Sequence, residues 1–296
     1  MEDFKRGTVR ANNLTFTFLT EGDGPLALCL HGFPDSPYSY RYLLPALAEA
    51  GYRAVAPFIR GFAPTELPDD RYHIHSSMMV NDAIALHEAL GGGPDAILIA
   101  HDWSALAAWG AAGKEPDRWR RLAVLNIPPF AIFGENIVKY DQIKRSFYFW
   151  YFQMQRVAED VISADNFAFI DRIWADWSPG YDASEDLPKV KECIRDPAHF
   201  KAALGYYRGQ FDPTRFGSEE WAAEQAAAWG KEITQPTLYL HGTRDGCHGC
   251  DQDQVNRIPS MCGPGSESEL IEGVGHFLMV ERPTDINKRI LEFMNA

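Results

Sequence analysis

The sequence predicts an α/β protein in which a mostly parallel sheet is flanked by helices and interrupted by one helical insertion. Short, almost wholly apolar runs such as AILIA at 96–100 are typical of strands buried on both faces of a parallel sheet. Stretches with apolar residues at helical spacing separate these runs, and such alternation favours right-handed strand–helix–strand units. Residues 129–231 break the alternation, because they contain aromatic-rich helical stretches but no buried-strand run.

The first half of the chain supplies most of the predicted strands. Residues 8–20 mix polar and β-prone residues around two asparagines, which are turn formers, so we predict a hairpin there. The segment 40–47 has apolar residues at helical spacing, in a helix that Pro45 must start or kink. In chain order, the predicted elements are the hairpin, a strand over 25–31, a helix over 40–47, a strand over 52–57, a helix over 78–90, a strand over 96–100, a helix over 103–112 and a strand over 122–127.

The alternation resumes after the insertion. The segments 236–241 and 269–272 predict two further strands. Pro283, a favoured first-turn residue, predicts the start of a final helix with one apolar side. The predicted domains are a core formed by 1–128 and 232–296 and a helical cap, or lid, formed by 129–231.

The composition excludes some partners. The chain has 296 residues, of which 46% are hydrophobic, enough for one large core or a core with a lid. Its formal net charge is −13, with acidic residues spread along the chain, so we expect no nucleic-acid partner. No apolar run is long enough to cross a bilayer, and the N-terminal sequence MEDFKRGTVR lacks the apolar stretch of a secretory signal. We therefore expect a cytoplasmic protein without a membrane span.

The junction at Asp102 is the main candidate for a catalytic feature. It joins a buried strand directly to a helix, and two small residues, Ala100 and Ser104, stand two positions on either side of Asp102. This pattern is typical of a nucleophile elbow, a strained turn that exposes the middle side chain above the sheet. The amide of Trp103, at the helix N-terminus, would then point at negative charge.

The identity of the elbow residue decides the chemistry. A serine would indicate acyl transfer, whereas a carboxylate that attacks an ester or amide would form a reactive anhydride. A carboxylate that attacks the saturated carbon of an epoxide or alkyl halide instead forms an ordinary ester that water can hydrolyse. Asp102 therefore predicts alkyl transfer. The alternative is that Asp102 only caps the helix beginning at Trp103, and its position after a buried strand favours the nucleophile.

Three further positions complete the predicted constellation. The amide of Phe33, in the turn after the strand 25–31, is a candidate second oxyanion donor. His276 lies in a glycine-containing loop after the last strand, as expected of a base in the order nucleophile, acid, histidine. Asp245, after the preceding strand, is the acid that would orient the His276 ring. Asp251 competes for that role, but we expect it to lie already in the next helix.

With these residues in this order, the chain resembles the α/β-hydrolase superfamily over nearly its full length and, within it, the epoxide hydrolases with an aspartate nucleophile. The supporting motifs are HGFP at 31–34, HDW at 101–103 and GHF at 275–277. The resemblance implies an α/β-hydrolase fold and an activity that opens an epoxide to a vicinal diol through a covalent ester on Asp102. It implies no cofactor.

The resemblance also assigns roles in the predicted cap. Related epoxide hydrolases use two lid tyrosines to donate hydrogen bonds to the epoxide oxygen, and the family patterns fall on Tyr148, three residues before Tyr-Phe-Gln, and on Tyr207 in ALGYYR. A phenol can protonate a developing alkoxide while remaining neutral at rest. Tyr140, Tyr151 and Tyr206 are the substitutes if the register differs by a turn.

The reactants are expected to be water and a small apolar epoxide, because the predicted cap is rich in aromatic residues. We expect a monomer or a homodimer. The further residues expected to contact the substrate are His31, Pro34, Trp103, Phe149 and Phe152.

Two departures from the family pattern are visible. The family commonly has Pro-Asp-x-Arg-Gly-x-Gly where this chain has PFIRGFA at 57–63, so we expect a differently shaped loop. The family's glycines beside the HDW motif are Ala100 and Ser104 here. Both are small, so the elbow is retained with slight changes in oxyanion geometry.

A haloalkane dehalogenase is the alternative enzyme, since it shares the aspartate elbow and would use Trp103 as a halide donor. That family needs a second N–H donor, often an asparagine after His-Gly or a lid tryptophan. Phe33 occupies the first position. Three lid tryptophans keep the second position open: Trp150, Trp174 and Trp177.

Other functions are disfavoured. Fluoroacetate dehalogenases have a similar lid, but they carry arginine where Trp103 stands. A non-catalytic ligand-binding homologue would gain nothing from an aligned nucleophile, acid and base. A serine esterase does not fit because Ser104 lies two residues past the apex of the elbow.

The five cysteines leave one question open. Their odd number and the size of the core argue against a disulfide framework. Cys247 and Cys250 have the spacing of a metal site, and His248 and Cys262 could supply two more ligands. Free thiols, or one bridge, are the favoured interpretation, and we predict no metal.

Overall fold

Eight strands form one sheet in the computed structural model, which describes residues 4–69 and 73–296. Residues 1–3, at the start of the N-terminal segment, and residues 70–72 belong to the predicted core and lie outside the described residues. The strands are β1 (Lys5–Ala11), β2 (Leu14–Glu21), β3 (Leu26–Leu30), β4 (Arg53–Pro57), β5 (Ile97–His101), β6 (Arg121–Leu125), β7 (Thr237–Gly242) and β8 (Glu267–Ile271). Their order across the sheet is β1-β2-β4-β3-β5-β6-β7-β8. β2 pairs antiparallel with β1 and β4, and the other pairings are parallel, which confirms the predicted sheet.

The hairpin of β1 and β2 turns at the two asparagines. Asn12 and Asn13 have φ angles of 39° and 65°. Two consecutive residues with positive φ are what a two-residue hairpin turn requires, and asparagine tolerates this conformation better than most residues. The predicted hairpin is therefore confirmed, with the turn where the sequence placed it.

Burial explains which strands were easiest to predict. Every residue of β3, β5 and β7 is buried, because helices cover both faces of the central sheet. β8 lies at the edge, and its sequence ESELI is only partly buried. Its weaker apolar signal follows from that position.

Two groups of helices surround the sheet. The helices of the core are α1 (Leu43–Glu49), α2 (Ser76–Ala89), α3 (Trp103–Lys114), α11 (Gln252–Arg257), α12 (Leu278–Glu281) and α13 (Pro283–Asn295). Between β6 and β7 lie α4 (Phe130–Ile137), α5 (Tyr140–Arg145), α6 (Phe147–Tyr151), α7 (Val157–Trp177), α8 (Leu187–Ile194), α9 (Pro197–Gln210) and α10 (Glu219–Trp229). Non-helical backbone at 164–167 interrupts α7. No helix in the described ranges combines the length and the apolar composition needed to cross a bilayer.

The first helix begins later than its apolar spacing predicted. α1 begins at Leu43, and Tyr40 belongs to a separate 3₁₀ turn, Pro37–Tyr40. Pro45 therefore stands in the first turn of α1, where its missing N–H leaves no hydrogen bond unmade.

The helices between β6 and β7 contact the loops at the carboxyl edge of the sheet. The indole of Trp174, in α7, donates a hydrogen bond to the carbonyl oxygen of Pro34 at 2.8 Å. The phenol of Tyr206, in α9, donates to the carbonyl oxygen of Arg60 at 2.7 Å. Both acceptors lie in loops that follow parallel strands, so the insertion covers that edge.

The loop after β4 is anchored by a buried ion pair. Arg60 donates to both oxygens of Asp82, with Nε–Oδ2 at 2.7 Å and Nη2–Oδ1 at 2.6 Å. Both side chains are less than a tenth exposed, at 8% and 9%. Asn12 donates to the same carboxylate at 2.6 Å. The pair therefore connects the hairpin, the loop and α2.

We predict that Arg60→Leu lowers the free energy of unfolding by about 3–5 kcal/mol, because it leaves the Asp82 carboxylate buried without its cation. Urea denaturation measures the change. Arg10→Leu is the matched control, since the ion pair of Arg10 with Glu66 is exposed and solvent screens it, so its loss should change the free energy of unfolding far less. Equal losses in the two variants would contradict this account of the loop.

Candidate active site

The carboxyl ends of five neighbouring strands meet at one edge of the sheet. β3, β5, β6, β7 and β8 are parallel, so the segments that follow them emerge side by side. These segments carry Phe33, Asp102, Asn126, Asp245 and His276. Four of the five were expected from the sequence, and Asn126 was not.

Asp102 has the strained backbone of an elbow. Its φ and ψ are 54° and −124°, a region that residues other than glycine rarely occupy. Its side chain makes no capping hydrogen bond to α3, so helix capping does not explain the residue. A Cβ on Gly32 would overlap the Asp102 carboxylate, which accounts for glycine at that position. The hydroxyl of Ser104 donates to the carbonyl oxygen of His31, which holds the two loops together.

The turn after β3 supplies a hydrogen-bond donor to Asp102. The amide of Phe33 donates to Oδ1 of Asp102 at 2.7 Å. Burial lowers the pKa of His31 to about 4, so this ring is neutral. Its Nε2 accepts from the amide of Ile59 at 3.3 Å, and its Nδ1 then donates to the carbonyl oxygen of Gly32 at 2.9 Å. His31 therefore shapes the turn that presents the Phe33 amide.

His276 lies between the two carboxylates. Its Nδ1 is 3.0 Å from Oδ2 of Asp245, and its Nε2 is 3.6 Å from Oδ2 of Asp102. Nε2 is buried and has no hydrogen-bond partner among the described residues. Burial alone would lower the pKa of His276, but the Asp245 and Asp102 carboxylates raise it to about 10.

Three donors hold Asp245 in its charged form. Its Oδ1 accepts from the amides of Cys247 at 2.7 Å and His248 at 3.0 Å. The side chain of Asn126 donates to Oδ2 at 2.6 Å. Burial alone would raise the pKa of Asp245, but His276 and Asn126 hold it well below its usual range. Asn126 follows β6 directly, so its place at the end of a parallel strand was the available signal.

Asp251 has a different role from Asp245. Its carboxylate accepts from the backbone amide of Gln254 at 2.8 Å, and the side-chain oxygen of Gln254 accepts from the backbone amide of Asp251 at 3.2 Å. This reciprocal capping box begins α11. Asp251 is therefore engaged at a helix terminus, as expected, and does not hold His276.

A narrow cavity lies over Asp102. It offers about 20 Å³ of space for the centre of a water molecule, enough for about one water. Of the expected substrate-contacting residues, Trp103 and Phe149 are among its lining, whereas His31, Pro34 and Phe152 are not. The lining residues are Asp102, Trp103, Leu106, Ile127, Phe133, Gln142, Tyr148, Phe149, Tyr207, Cys247 and His248.

Both expected tyrosines line this cavity and are buried. Burial raises the pKa of Tyr148 and of Tyr207 well above the usual value, so both phenols are neutral. The hydroxyl of Tyr148 lies 3.2 Å from Sγ of Cys247. The rings of Tyr148 and Tyr207 meet edge to face, with centroids 5.4 Å apart.

The substitute tyrosines point elsewhere. The Tyr206 hydroxyl donates to the carbonyl oxygen of Arg60, and Tyr140 is 75% exposed. Tyr151 stacks on Phe169 with ring centroids 5.9 Å apart. None of the three is among the described residues that line the cavity. Of the five candidate tyrosines, Tyr148 and Tyr207 are therefore the two whose side chains line the cavity, and their catalytic role stays a prediction.

The lid tryptophans offer little to a halide at Asp102. The indole N–H of Trp174 is bonded to Pro34, and Trp150 is 38% exposed. Trp177 packs its ring against His276 and Tyr148. Among the described residues lining the cavity, the one tryptophan is Trp103.

The cysteines do not form the site that their spacing suggested. All five are unpaired. Cys247 lines the cavity, whereas Cys250 faces a separate polar pocket. Within the ranges that the structure describes, Cys247, Cys250, Cys262 and His248 do not bring their ligand atoms together as a metal site.

Comparison with known proteins finds the same fold and similar sequences among epoxide hydrolases. The family model of the alpha/beta hydrolase fold matches residues 25–283. An epoxide hydrolase of Caballeronia sordidicola is 30% identical over 99% of this chain and 94% of that protein. Epoxide hydrolase A of Mycobacterium tuberculosis is 28% identical over 93% of this chain and 92% of that protein. The crystal structure of an epoxide hydrolase from Vigna radiata superposes with a TM-score of 0.79 and 27% identity, covering 99% of this chain and 98% of that one.

The raised pKa of His276 predicts how stability depends on pH. The pKa of His276 is raised to about 10 in the folded protein, whereas the ordinary pKa of histidine is 6.5. The contribution of the group is therefore fully present below pH 6.5 and is lost as the pH rises to about 10. We expect the difference in free energy of unfolding between the unmodified protein and His276→Gln to fall across this range, as measured by urea denaturation.

His87→Gln is the control for this measurement. The pKa of His87 is lowered by burial, so its proton binding differs between the folded and unfolded states only below pH 6.5. Its difference curve should be flat from there to about pH 10. A flat curve for His276→Gln as well would overturn the charge assignment.

Proposed function

Because this chain belongs to the α/β-hydrolase family and, within it, to the epoxide hydrolases, we propose that it hydrolyses epoxides to vicinal diols. The observation that carries the proposal is a single cavity lined by one carboxylate, Asp102, and two neutral phenols, Tyr148 and Tyr207. A nucleophile for carbon and proton donors for oxygen are the two functions that opening an epoxide requires.

In the first step, Oδ2 of Asp102 attacks an epoxide carbon. A carbon–oxygen bond of the strained ring breaks as the ester bond forms, and a phenol of Tyr148 or Tyr207 protonates the departing oxygen. The amide of Phe33 holds Oδ1 at 2.7 Å, which leaves Oδ2 for the attack. The buried phenols suit this role because they carry no charge at rest.

In the second step, Nε2 of His276 takes a proton from water, and the oxygen of that water attacks the ester carbonyl carbon. The carbonyl oxygen becomes an oxyanion, which the amides of Phe33 and Trp103 would hold. The ester bond then breaks and releases the diol with the Asp102 carboxylate restored. Asp245 keeps the ring oriented through Nδ1 at 3.0 Å.

The charge of Asp102 changes during this cycle, and the change lowers the pKa of His276 before the ring has to act as a base. Ester formation removes the charge of Asp102, one of the two carboxylates that raise the pKa of His276. The imidazolium therefore becomes more acidic in the ester, and its proton can restore the phenol consumed in the first step. Hydrolysis returns one proton to His276, so protons balance over the whole cycle.

We further propose that 129–231 acts as a cap domain over a core formed by 1–128 and 232–296. The cap supplies both phenols, and the core supplies the nucleophile, acid and base. The lining side chains Leu106, Ile127, Phe133 and Phe149 favour an apolar epoxide. Because the cavity has space for about one water, binding a larger epoxide requires lining side chains or cap helices to move.

A haloalkane dehalogenase is less well supported. The leaving halide would need two N–H donors beside the nucleophile, and Trp103 supplies one. The two phenols have a defined task with an epoxide and none with a halide. Halide release from haloalkanes without diol formation from epoxides would reverse this preference.

We predict that a single turnover in ¹⁸O-labelled water places the label in the Asp102 carboxylate, because water attacks the ester carbonyl and the diol takes its new oxygen from Asp102. Mass spectrometry of the peptide containing Asp102 measures the label, with a styrene-type epoxide as substrate. Label found only in the diol would exclude the ester mechanism.

In His276→Gln the ester should accumulate, because no base remains to activate water. Mass spectrometry should show it as a mass increase equal to the mass of the epoxide, and Asp102→Asn should show no such adduct.

We predict that Tyr148→Phe and Tyr207→Phe each lower the rate of ester formation, and that the double variant loses about 10²–10⁴-fold, the usual contribution of general acid catalysis. Stopped-flow tryptophan fluorescence or quenched-flow mass spectrometry measures that step. Tyr151→Phe is the control, since its ring stacks on Phe169 away from the cavity and its rate should stay within about twofold. A double variant as fast as the control would remove the phenols from the mechanism.

A further inference from the structure

The proposed mechanism gives no task to one buried group beside the nucleophile, the thiol of Cys247. A carboxylate oxygen of Asp102, Sγ of Cys247 and a ring nitrogen of His276 all lie within 4.8 Å of one another. All three residues are buried. We propose that they form a three-ligand site for Zn²⁺, and that an ion bound there blocks the active site.

The distances suit a small tetrahedral ion. Two nitrogen or oxygen ligands bound to zinc at about 2.0–2.1 Å stand about 3.4 Å apart. Nε2 of His276 and Oδ2 of Asp102 are 3.6 Å apart. Sγ of Cys247 lies within 4.8 Å of a carboxylate oxygen of Asp102 and of a ring nitrogen of His276, so an inward shift of the thiol completes the set.

The surroundings of His276 are those of a zinc-binding histidine. Such a ring binds the metal through one nitrogen and donates through the other to a carboxylate, which fixes its tautomer. Here Nδ1 faces Asp245 at 3.0 Å. Nε2 faces Asp102, is fully buried, and has no hydrogen-bond partner among the described residues. That unpartnered nitrogen is the position where a cation would bind.

The charges of the three ligands also match. One carboxylate and one thiolate neutralise the double charge of Zn²⁺, and a neutral imidazole adds a third ligand. The ion replaces two protons, that of the Cys247 thiol and the one that the raised pKa of His276 keeps on its ring, and both protons leave to solvent. The hydroxyl of Tyr148, 3.2 Å from Sγ, then donates a hydrogen bond to the thiolate.

Zinc at this site would keep several groups of the proposed mechanism from reacting. The nucleophile and the base become ligands, and Tyr148 is turned toward the thiolate. Inhibition should therefore compete with the epoxide. This consequence rests on the proposed function, whereas binding of the metal does not.

Cobalt(II) tests the binding directly, because a cysteine thiolate on Co²⁺ gives a sulfur-to-cobalt charge-transfer absorption in the near ultraviolet. We expect this band when Co²⁺ is added to the unmodified protein, and Zn²⁺ should abolish it. Cys250→Ala is the matched control: this cysteine lies three residues further on and faces another pocket, so the band should remain. Cys247→Ala and Cys247→Ser should both lack it, with near-ultraviolet circular dichroism showing that each variant is folded.

Asp245→Asn tests the residue that orients the His276 ligand, as distinct from the three metal ligands themselves. It should keep the band but weaken Co²⁺ binding by about 10–100-fold, as loss of the hydrogen-bond partner of a metal-bound histidine does. A band that persists in both Cys247 variants, or no band in the unmodified protein, overturns the site.

The inhibition is tested with Zn²⁺ in an epoxide hydrolysis assay. Relative to its own uninhibited rate, Cys247→Ala should need more than about tenfold more Zn²⁺ for half inhibition, and Cys250→Ala should behave as the unmodified protein. Equal sensitivity of the two variants contradicts the proposal. A cobalt band without any epoxide turnover would refute the proposed function and leave the metal site standing, and turnover without a band would do the reverse.

Discussion

The left-handed backbone at Asp102 is the constraint on which the rest of the site depends. At φ 54° the chain leaves β5 and enters α3 within one residue, which lifts the carboxylate above the sheet edge. Such a conformation costs roughly 1–3 kcal/mol in a residue other than glycine. The surrounding structure must hold it there, and it does so with small neighbours, the Ser104 hydrogen bond and a glycine at position 32. The result is a carboxylate above the sheet edge that makes no capping hydrogen bond to α3.

The two buried carboxylates of the site, Asp102 and Asp245, differ in how many hydrogen bonds they accept. Asp245 is saturated by the amides of Cys247 and His248, the side chain of Asn126 and the His276 ring, so it remains ionised although buried. Among the described residues, Asp102 accepts one amide hydrogen bond, from Phe33 to Oδ1, and its Oδ2 lies 3.6 Å from Nε2 of His276. The more fully satisfied carboxylate orients the histidine, and the less satisfied one is the nucleophile of the proposed reaction.

In the proposed reaction, the insertion and the core contribute different groups. Core strands end in the carboxylates and the histidine, which stabilise or accept positive charge. The helices between β6 and β7 bring two uncharged phenols, and their hydrogen bonds to Pro34 and Arg60 join them to the loops beside the elbow. The same packing places the Cys247 thiol 3.2 Å from the Tyr148 hydroxyl and close to Asp102, so the proposed metal site would share atoms with the proposed catalytic site.

The sequence by itself determined the fold class, the sharp turn at Asp102 and the strand ends that Asp102, Asp245 and His276 follow, because buried parallel strands and sharp turns leave local patterns. It also singled out Tyr148 and Tyr207, but only through family resemblance, since adjacent tyrosines such as Tyr206 and Tyr207 look alike in a helix. The tertiary structure decided which of them faces the cavity, that Asn126 holds Asp245, and that Cys247 stands beside Asp102. These facts depend on packing between segments about a hundred residues apart, and no local pattern records which side chains meet across such a distance.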